Sequence, residues 1–189
     1  MTYYNTNAKE FFKSTINIDM TLLYNEFEKY LNPNDKILDL GCGSGRDSLY
    51  FINKGYKVTA IDNSFELAKI ASEYINQNVI CLNMLDLNFT NEFNAIWACA
   101  SILHINKSEI LNVFNKCFNA LKKNGIFYSS FKYGDKEEEI EGRFFNFYTE
   151  SSIESLINKT SFCVEKIFVT NDSRKGREGE QWLNVILKK

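Results

Sequence analysis

The sequence predicts a doubly wound α/β fold: seven strands in a mostly parallel sheet, with helices on both faces. Three observations carry this. Short apolar runs of five to eight residues alternate along the chain with amphipathic stretches of about 10–15, the rhythm of strand–helix–strand units. The first run, KILDL, opens into a glycine-rich turn followed by an amphipathic stretch. The last two runs are joined by Thr170–Gln181, too short for a crossover helix, so they should pair antiparallel.

Periodicity sets each element in order. The segment to about Leu31 reads as helix, because Leu22, Leu23, Phe27 and Tyr30 recur at helical spacing. Pro33, the only proline, turns the chain after it. Lys36–Leu40, Lys57–Ile61, Val79–Asn83, Phe93–Ala100, Ile126–Phe131, Cys163–Val169 and Trp182–Leu187 read as strands. Arg46–Lys54, Ser64–Ile75, Lys107–Leu121 and Thr149–Asn158 read as the helices between them. Ser64 should cap its helix, and Asn106 with Glu109 and Ser151 with Glu154 form capping-box patterns. LKKNG, ending at Gly125, should stop the preceding helix, with lysines in the last turn and glycine just past it.

Composition bounds the function. A chain of 189 residues, 44% of them hydrophobic, can bury one core, so a single domain over 1–189 is expected and disorder is excluded. With 22 Lys+Arg against 24 Asp+Glu the net charge is −2, without the basic footprint of a nucleic-acid binder. No apolar run approaches the ~18 residues of a membrane span. MTYYNTNAKEFF has neither the basic nor the apolar region of a secretory signal. Five cysteines without CxxC spacing and a single histidine, His104, make no metal site. Four of the cysteines fall in apolar strand or helix patterns, where a free thiol packs as a small hydrophobe. A cytoplasmic monomer acting on a small molecule is the expectation.

ILDLGCGSGRD, Ile37 to Asp47, carries the sharpest signal. Gly41, Gly43 and Gly45 let the backbone turn tightly and approach a ligand where a Cβ would clash. A dinucleotide fingerprint is GxGxxG, with pyrophosphate at the helix N-terminus. Here the spacing is GxGxG and Arg46 stands where the third glycine would be. Asp39, two residues before the first glycine, adds a carboxylate that repels pyrophosphate and suits a cationic ligand. Asp62, at the end of the second strand, can accept both hydroxyls of a ribose; by itself it fits a nicotinamide dinucleotide equally well.

On these residues the chain resembles the class I S-adenosylmethionine-dependent methyltransferases, whose D/E-x-G-x-G-x-G motif it carries as Asp39, Gly41, Gly43 and Gly45. The resemblance implies a Rossmann-like sheet of order 3-2-1-4-5-7-6 with the last strand antiparallel. It implies S-adenosyl-L-methionine as cofactor and S-adenosyl-L-homocysteine as product. Asp39 would lie near the cofactor's ammonium, and Gly41, Cys42, Gly43, Ser44, Gly45 and Arg46 would pass its ribose and amino-acid end. Asp62 and Asn63 would take the ribose. Met84 and Leu85 of NMLDL would flank the adenine, with Asp86 on its amino group, and Ala100 and Ser101 complete the set.

The acceptor side is read mainly by exclusion. Methyltransferases of planar amino groups carry [DNS]PP[YFW] after the fourth strand, and cytosine-C5 enzymes carry a Pro-Cys pair. This chain reads ACAS there, and its only proline is Pro33. His104, the one side chain with an unperturbed pKa near 6.5, stands where many small-molecule enzymes of this fold have a histidine. It is either a general base or a loop histidine bonded to backbone. Phe144, Phe145, Phe147 and Tyr148 are too aromatic for a free loop, so 132–148 reads as a lid, with 1–32 as a helical cap; the acids Asp135–Glu141 read as solvated. Arg143, Arg174 and Arg177 with Trp182, and Tyr4 from the cap, are the candidate acceptor contacts. The arginines suit a carboxylate or phosphate; alternatively they pair with Glu137–Glu141 or Glu178–Glu180.

The whole chain is similar to a group of compact bacterial class I methyltransferases, through Tyr4–Phe12, Gly41–Asp47, Trp97–His104, Ser130–Gly134, Gly142–Phe145 and Ser173–Asn184. Asn94 departs from it, where an acid is usual. Three rivals stand beside this reading. The displaced third glycine, Asp39 and Asp86 oppose an NAD(P)-dependent oxidoreductase. The intact cofactor motif opposes a binding protein without catalysis. The acidic balance opposes an enzyme for protein or RNA.

Overall fold

The computed structural model describes residues 2–174, 176–177 and 179–189. β1 (Lys36–Leu40) lies at the centre of the sheet, parallel to β2 (Lys57–Asp62) on one edge and β4 (Phe93–Ala98) on the other. β3 (Ile80–Cys81) continues beyond β2, and β5 (Leu121–Tyr133) beyond β4. β9 (Gln181–Lys188) then runs antiparallel to both β5 and β8 (Cys163–Asn171), as the short connection between the last two strands requires. The order β3-β2-β1-β4-β5-β9-β8 reverses between β1 and β4, and ligands of such sheets bind at that reversal.

There are nine strands among the described residues rather than seven. The additional pair is an antiparallel hairpin, β6 (Glu137–Ile140) with β7 (Arg143–Tyr148). The acidic run EEEI has little strand propensity of its own, but pairing against RFFNFY overrides it. β7 also joins β5 in parallel through Lys132↔Phe147 and Tyr133↔Tyr148. Since β9 occupies one edge of β5, β7 takes the edge that β4 leaves free beyond Ser129.

The helical N-terminal segment is three helices, α1 (Thr2–Thr6), α2 (Ala8–Thr15) and α3 (Thr21–Glu28). Asp19 accounts for the second break, because its carboxylate accepts the Thr21 N–H at 2.9 Å and competes with helix continuation. Four further helices connect strands: α4 (Arg46–Asn53), α5 (Phe65–Ile75), α6 (Lys107–Ala120) and α7 (Glu150–Ile157). Ser64 caps α5 as expected, accepting the Leu67 N–H at 3.2 Å. Asn106 precedes α6 but makes no side-chain cap; the Lys107 N–H goes to Glu137 instead. The capping box of α7 is Thr149 with Ser152, not Ser151 with Glu154. The LKKNG expectation also shifts. α6 already ends at Ala120, Leu121 pairs with Phe93, and Asn124 rather than Gly125 takes the left-handed conformation.

Side chains alternate along β1. Ile37 joins a core with α3, α4 and α5 that includes Phe27, Phe51 and Trp97, while Leu38 and Leu40 face a second core with α6 and α7. Both faces of the sheet are thus covered, as the sequence rhythm requires. Cys42 and Cys117 are buried in these cores, but Cys81 and Cys163 are exposed on short or edge strands and do not pack as hydrophobes. Among the described residues no helix is long and apolar enough to cross a membrane, and no cluster of metal-binding side chains occurs.

Candidate active site

The glycine turn leaves β1 at Leu40. Gly41 has φ +79°, and a Cβ there would lie 2.6 Å from the Ser101 Cβ, so only glycine lets the β1 and β4 ends meet. Gly45 serves packing instead: a Cβ would sit 2.9 Å from Ile75 of α5. Asp62 at the end of β2 braces the turn. Its two oxygens accept the Gly43 and Ser64 N–H groups, each at 2.8 Å. Burial raises the pKa of this carboxyl, and the N–H groups of Ser64 and Gly43 work against the rise. Gly41, Gly43, Asp62, Asn63, Met84 and Ser101 line a cavity of about 190 Å³ at the carboxyl ends of β1 and β2.

A buried polar layer lies beneath the turn. Asp39 is 2% exposed and accepts the Ser48 hydroxyl at 2.5 Å; burial, together with the Asp47 charge, pushes its carboxyl well above the usual range. Burial also works against charge on Asp47, but the Arg46 guanidinium and hydrogen bonds from Arg46, Tyr24 and Trp97 outweigh it and hold Asp47 ionised. Those bonds are short: 2.6 and 3.0 Å from Arg46, 2.5 Å from the Tyr24 hydroxyl and 2.8 Å from the Trp97 indole. Trp97 in turn stacks on Tyr128, with centroids 4.1 Å apart. The RD pair after the glycines is therefore an anchor joining the turn to β4 and α3.

A second cavity of about 170 Å³ opens beside the first, and Tyr4, Ala100 and His104 line both. Ala100 holds φ +50° where β4 ends, and its N–H donates to the Ser130 hydroxyl at 2.8 Å. His104 sits on a short 3-10 turn (Ile102–His104) with both ring nitrogens engaged. Nδ1 lies 2.6 Å from the Phe144 carbonyl and Nε2 lies 2.7 Å from the Tyr4 hydroxyl. A carbonyl only accepts, so Nδ1 carries the proton, and Nε2 accepts from Tyr4. Burial lowers the His104 pKa to about 4, with the Arg143 charge adding to the fall and the Phe144 contact opposing it. Burial likewise pushes the Tyr4 hydroxyl up to about 12, against the Arg143 charge. The ring is thus neutral near neutral pH.

The basic residues reach the second cavity from two sides. Arg143, on β7, stacks over the Tyr3 and Phe145 rings at 4.6 and 5.2 Å. Arg174 grips Asp172 through both ends of its guanidinium, and Trp182 donates to the same carboxylate at 3.0 Å. Arg177 and Lys132 both pair with Glu180. Arg143, Arg174, Arg177 and Lys132 all line the cavity, as do Asp172 and Trp182. Ion pairing and a place in the wall are therefore combined. Glu178, the other partner considered, lies outside the described residues.

Not every expected cofactor contact reaches the first cavity. Cys42 and Ser44 are buried within the turn, and Asp39 lies under it. Arg46 is held by Asp47 and the Thr15 carbonyl and faces the second cavity. Leu85 packs on the α6 side of the core, and Asp86 is exposed outside the lining. The contacts that sequence reasoning missed link distant positions. The Tyr4–His104 bond spans 100 residues, and the Asn5 side chain accepts the Ser64 hydroxyl across 59. No local pattern announces either. The Phe144 carbonyl was foreshadowed only by the aromatic density of its segment.

Comparison with known proteins bears on this architecture. Residues 37–125, from β1 to the middle of β5, match the family described as methyltransferase domain. That match takes in just under half of the chain, the glycine turn included. The chain is similar to YqeM, a methyltransferase-named protein of Bacillus subtilis (strain 168), with 28% identity over 75% of this chain and 66% of that one. It is also similar to phosphoethanolamine N-methyltransferase of Plasmodium falciparum (isolate 3D7), with 26% identity over 75% of this chain and 58% of that one. The chain thus spans less than two thirds of the length of these curated relatives. Among solved structures, the 1,6-didemethyltoxoflavin-N1-methyltransferase of Burkholderia thailandensis, with 1,6-didemethyltoxoflavin and S-adenosylhomocysteine bound, superposes with TM-score 0.80. That match covers 100% of this chain and 84% of the other at 18% identity. The [4+2]-cyclase SpnF superposes with TM-score 0.74, covering 89% and 80% at 16% identity. The chain therefore shares the fold of these structures, and the fold alone does not choose the reaction.

Proposed function

We propose that this chain transfers a methyl group from S-adenosyl-L-methionine to a small-molecule acceptor, leaving S-adenosyl-L-homocysteine. The observation that carries the reading is the joining of two cavities at Tyr4, Ala100 and His104: a glycine-walled one beside Asp62, and a separate one rich in aromatic and basic side chains. The first fits the cofactor, since a Cβ at Gly41 would fill part of it and Asp62 keeps lone pairs for two hydroxyls beyond the backbone bonds it accepts. Gly41, Gly43, Asp62, Asn63, Met84 and Ser101 would hold the cofactor. When bound, it supplies an electrophilic methyl group at the seam between the cavities.

The chain's own residues then do two things. α1–α3 act as a cap and 132–148 as a lid, which aligns the acceptor and excludes water; alignment supplies much of the rate in an in-line displacement. His104, held neutral and oriented by the Phe144 carbonyl, receives the acceptor's proton at Nε2, with the Tyr4 hydroxyl positioned between them. The net charge of −2 supports a small molecule rather than nucleic acid as acceptor, and the same reading places a monomer in the cytoplasm.

Calorimetric titration with S-adenosylhomocysteine and with NADH, followed by a labelled-methyl screen over metabolite pools, tests the reading. Binding of S-adenosylhomocysteine with label transfer to a small molecule is expected. NADH binding without response to S-adenosylhomocysteine would overturn it.

A further inference from the structure

We infer that the acceptor carries an oxyanion, a carboxylate or phosphate monoester, and that Arg143 receives it. This rests on the methyltransferase reading for the acceptor's location and narrows it to a class of compound.

The structure separates the basic residues of the cavity by what already satisfies them. Arg174 is bound through Nε and Nη2 to Asp172, which also accepts the Trp182 indole. Arg46 is bound through Nε and Nη2 to Asp47 and through Nη1 to the Thr15 carbonyl. Lys132 and Arg177 share Glu180. Arg143 differs. Its one acidic partner is Glu141, 3.0 Å away and 71% exposed, a surface pairing of little weight. Its own side chain is only 18% exposed, and its Nε–H is buried with no hydrogen-bond partner among the described residues. A buried donor left unpaired is costly, and native structures keep few of them. Tyr3 and Phe145 lie over the guanidinium, Nη2 reaches Glu141 and the Tyr4 hydroxyl also meets the group, so a ligand would take the free Nε–H and compete with the exposed Glu141 for Nη2. A planar donor edge in a mostly apolar wall matches an oxyanion, which it can bind through two parallel hydrogen bonds.

Position refines the class. Arg143 directly precedes Phe144, whose carbonyl holds His104, and the Phe145 ring lies 4.9 Å from the His104 ring. An anion on Arg143 is therefore close to the proton-accepting Nε2. The acceptor is compact, with its oxyanion a few bonds from the atom that takes the methyl group. Phe11, Leu103, Phe145 and Trp182 supply walls for an apolar or aromatic body between them.

The test is calorimetric titration of the protein, with and without saturating S-adenosylhomocysteine, using benzoate, phenyl phosphate and inorganic phosphate against the neutral isostere benzamide. Benzoate or phenyl phosphate should bind at least about tenfold tighter than benzamide. Arg143→Gln should abolish that preference while leaving S-adenosylhomocysteine affinity nearly unchanged, and Glu141→Gln should leave the preference intact. Equal binding of benzoate, phenyl phosphate and benzamide overturns the inference. So does the failure of every oxyanion to saturate at millimolar concentration, or a preference that survives Arg143→Gln. Should that variant not fold, Arg143→Lys is read instead, because it keeps the charge without the planar fork. A loss of about threefold or more in preference then supports the inference, and no loss overturns it. Failure to bind S-adenosylhomocysteine would strike the methyltransferase reading alone, because the oxyanion site is also titrated without it.

Discussion

On the glycine-turn side, Asp39, Asp47 and Asp62 are each buried and tied to groups within or next to the central strands; around the second cavity, Arg143, Arg177 and Lys132 pair with the exposed Glu141 and the partly exposed Glu180, which lie outside the strands. The hairpin that carries Arg143 joins the main sheet through only two residue pairs, Lys132↔Phe147 and Tyr133↔Tyr148. By contrast β1 pairs with β2 along its whole length. The difference teaches where each function can vary. Contacts made by backbone inside a parallel sheet tolerate little change, whereas contacts made by edge side chains can be exchanged without disturbing the core.

Substitutions on the two sides should therefore differ in kind as well as size. The largest loss is expected at Asp47→Ala, which strands the buried Arg46 charge and the Tyr24 and Trp97 donors; urea unfolding should show about 3–5 kcal/mol. Gly41→Ala combines a positive φ with a 2.6 Å clash and should cost about 2–4 kcal/mol, with S-adenosylhomocysteine affinity lost in the same titration.

His104→Ala should lower turnover about 10²-fold while leaving S-adenosylhomocysteine affinity nearly intact, so full activity would remove it as base. Its pH dependence is distinctive. The folded pKa of about 4 lies below the free value of 6.5, so Nε2 stays unprotonated down to that range. The acid limb of turnover should accordingly fall near pH 4 rather than near 6.5. The same shift makes the folded state bind the proton less readily than the unfolded one. Its contribution to stability is complete above 6.5 and is lost as pH falls toward 4.

Asp62→Ala should weaken S-adenosylhomocysteine by about 1.5–3 kcal/mol, and an unchanged affinity would dissociate Asp62 from the ribose. Glu141→Gln, at an exposed pair, should move stability by no more than about 0.5 kcal/mol; a larger effect would break the contrast between the two sides.

Much of the cofactor side was legible because local rules act there. Three glycines after an apolar strand demand a tight turn, and all three adopt positive φ. Ser64 capped its helix for the same local reason. The exceptions are also instructive. Asp86 and Leu85 sit next to Met84 in sequence, yet a single 3-10 turn sends the three side chains to different surroundings. The acceptor side was legible only as composition. Aromatic crowding at 144–148 marked a packed segment, but its hairpin pairing depends on an acidic run that favours no strand by itself.

By itself the sequence determined the alternation of strands and helices, the antiparallel last strand and the glycine turn, because each follows from side-chain period, loop length or backbone sterics within a few residues. Only the tertiary structure decided that Tyr4 donates to His104, that Phe144 selects its tautomer, and that Arg143 keeps a buried N–H unpaired among the described residues. The first two are meetings of groups 100 and 40 positions apart. Their distances and burial are set by how the cap and the hairpin pack on the sheet, and burial in turn sets which protons they hold.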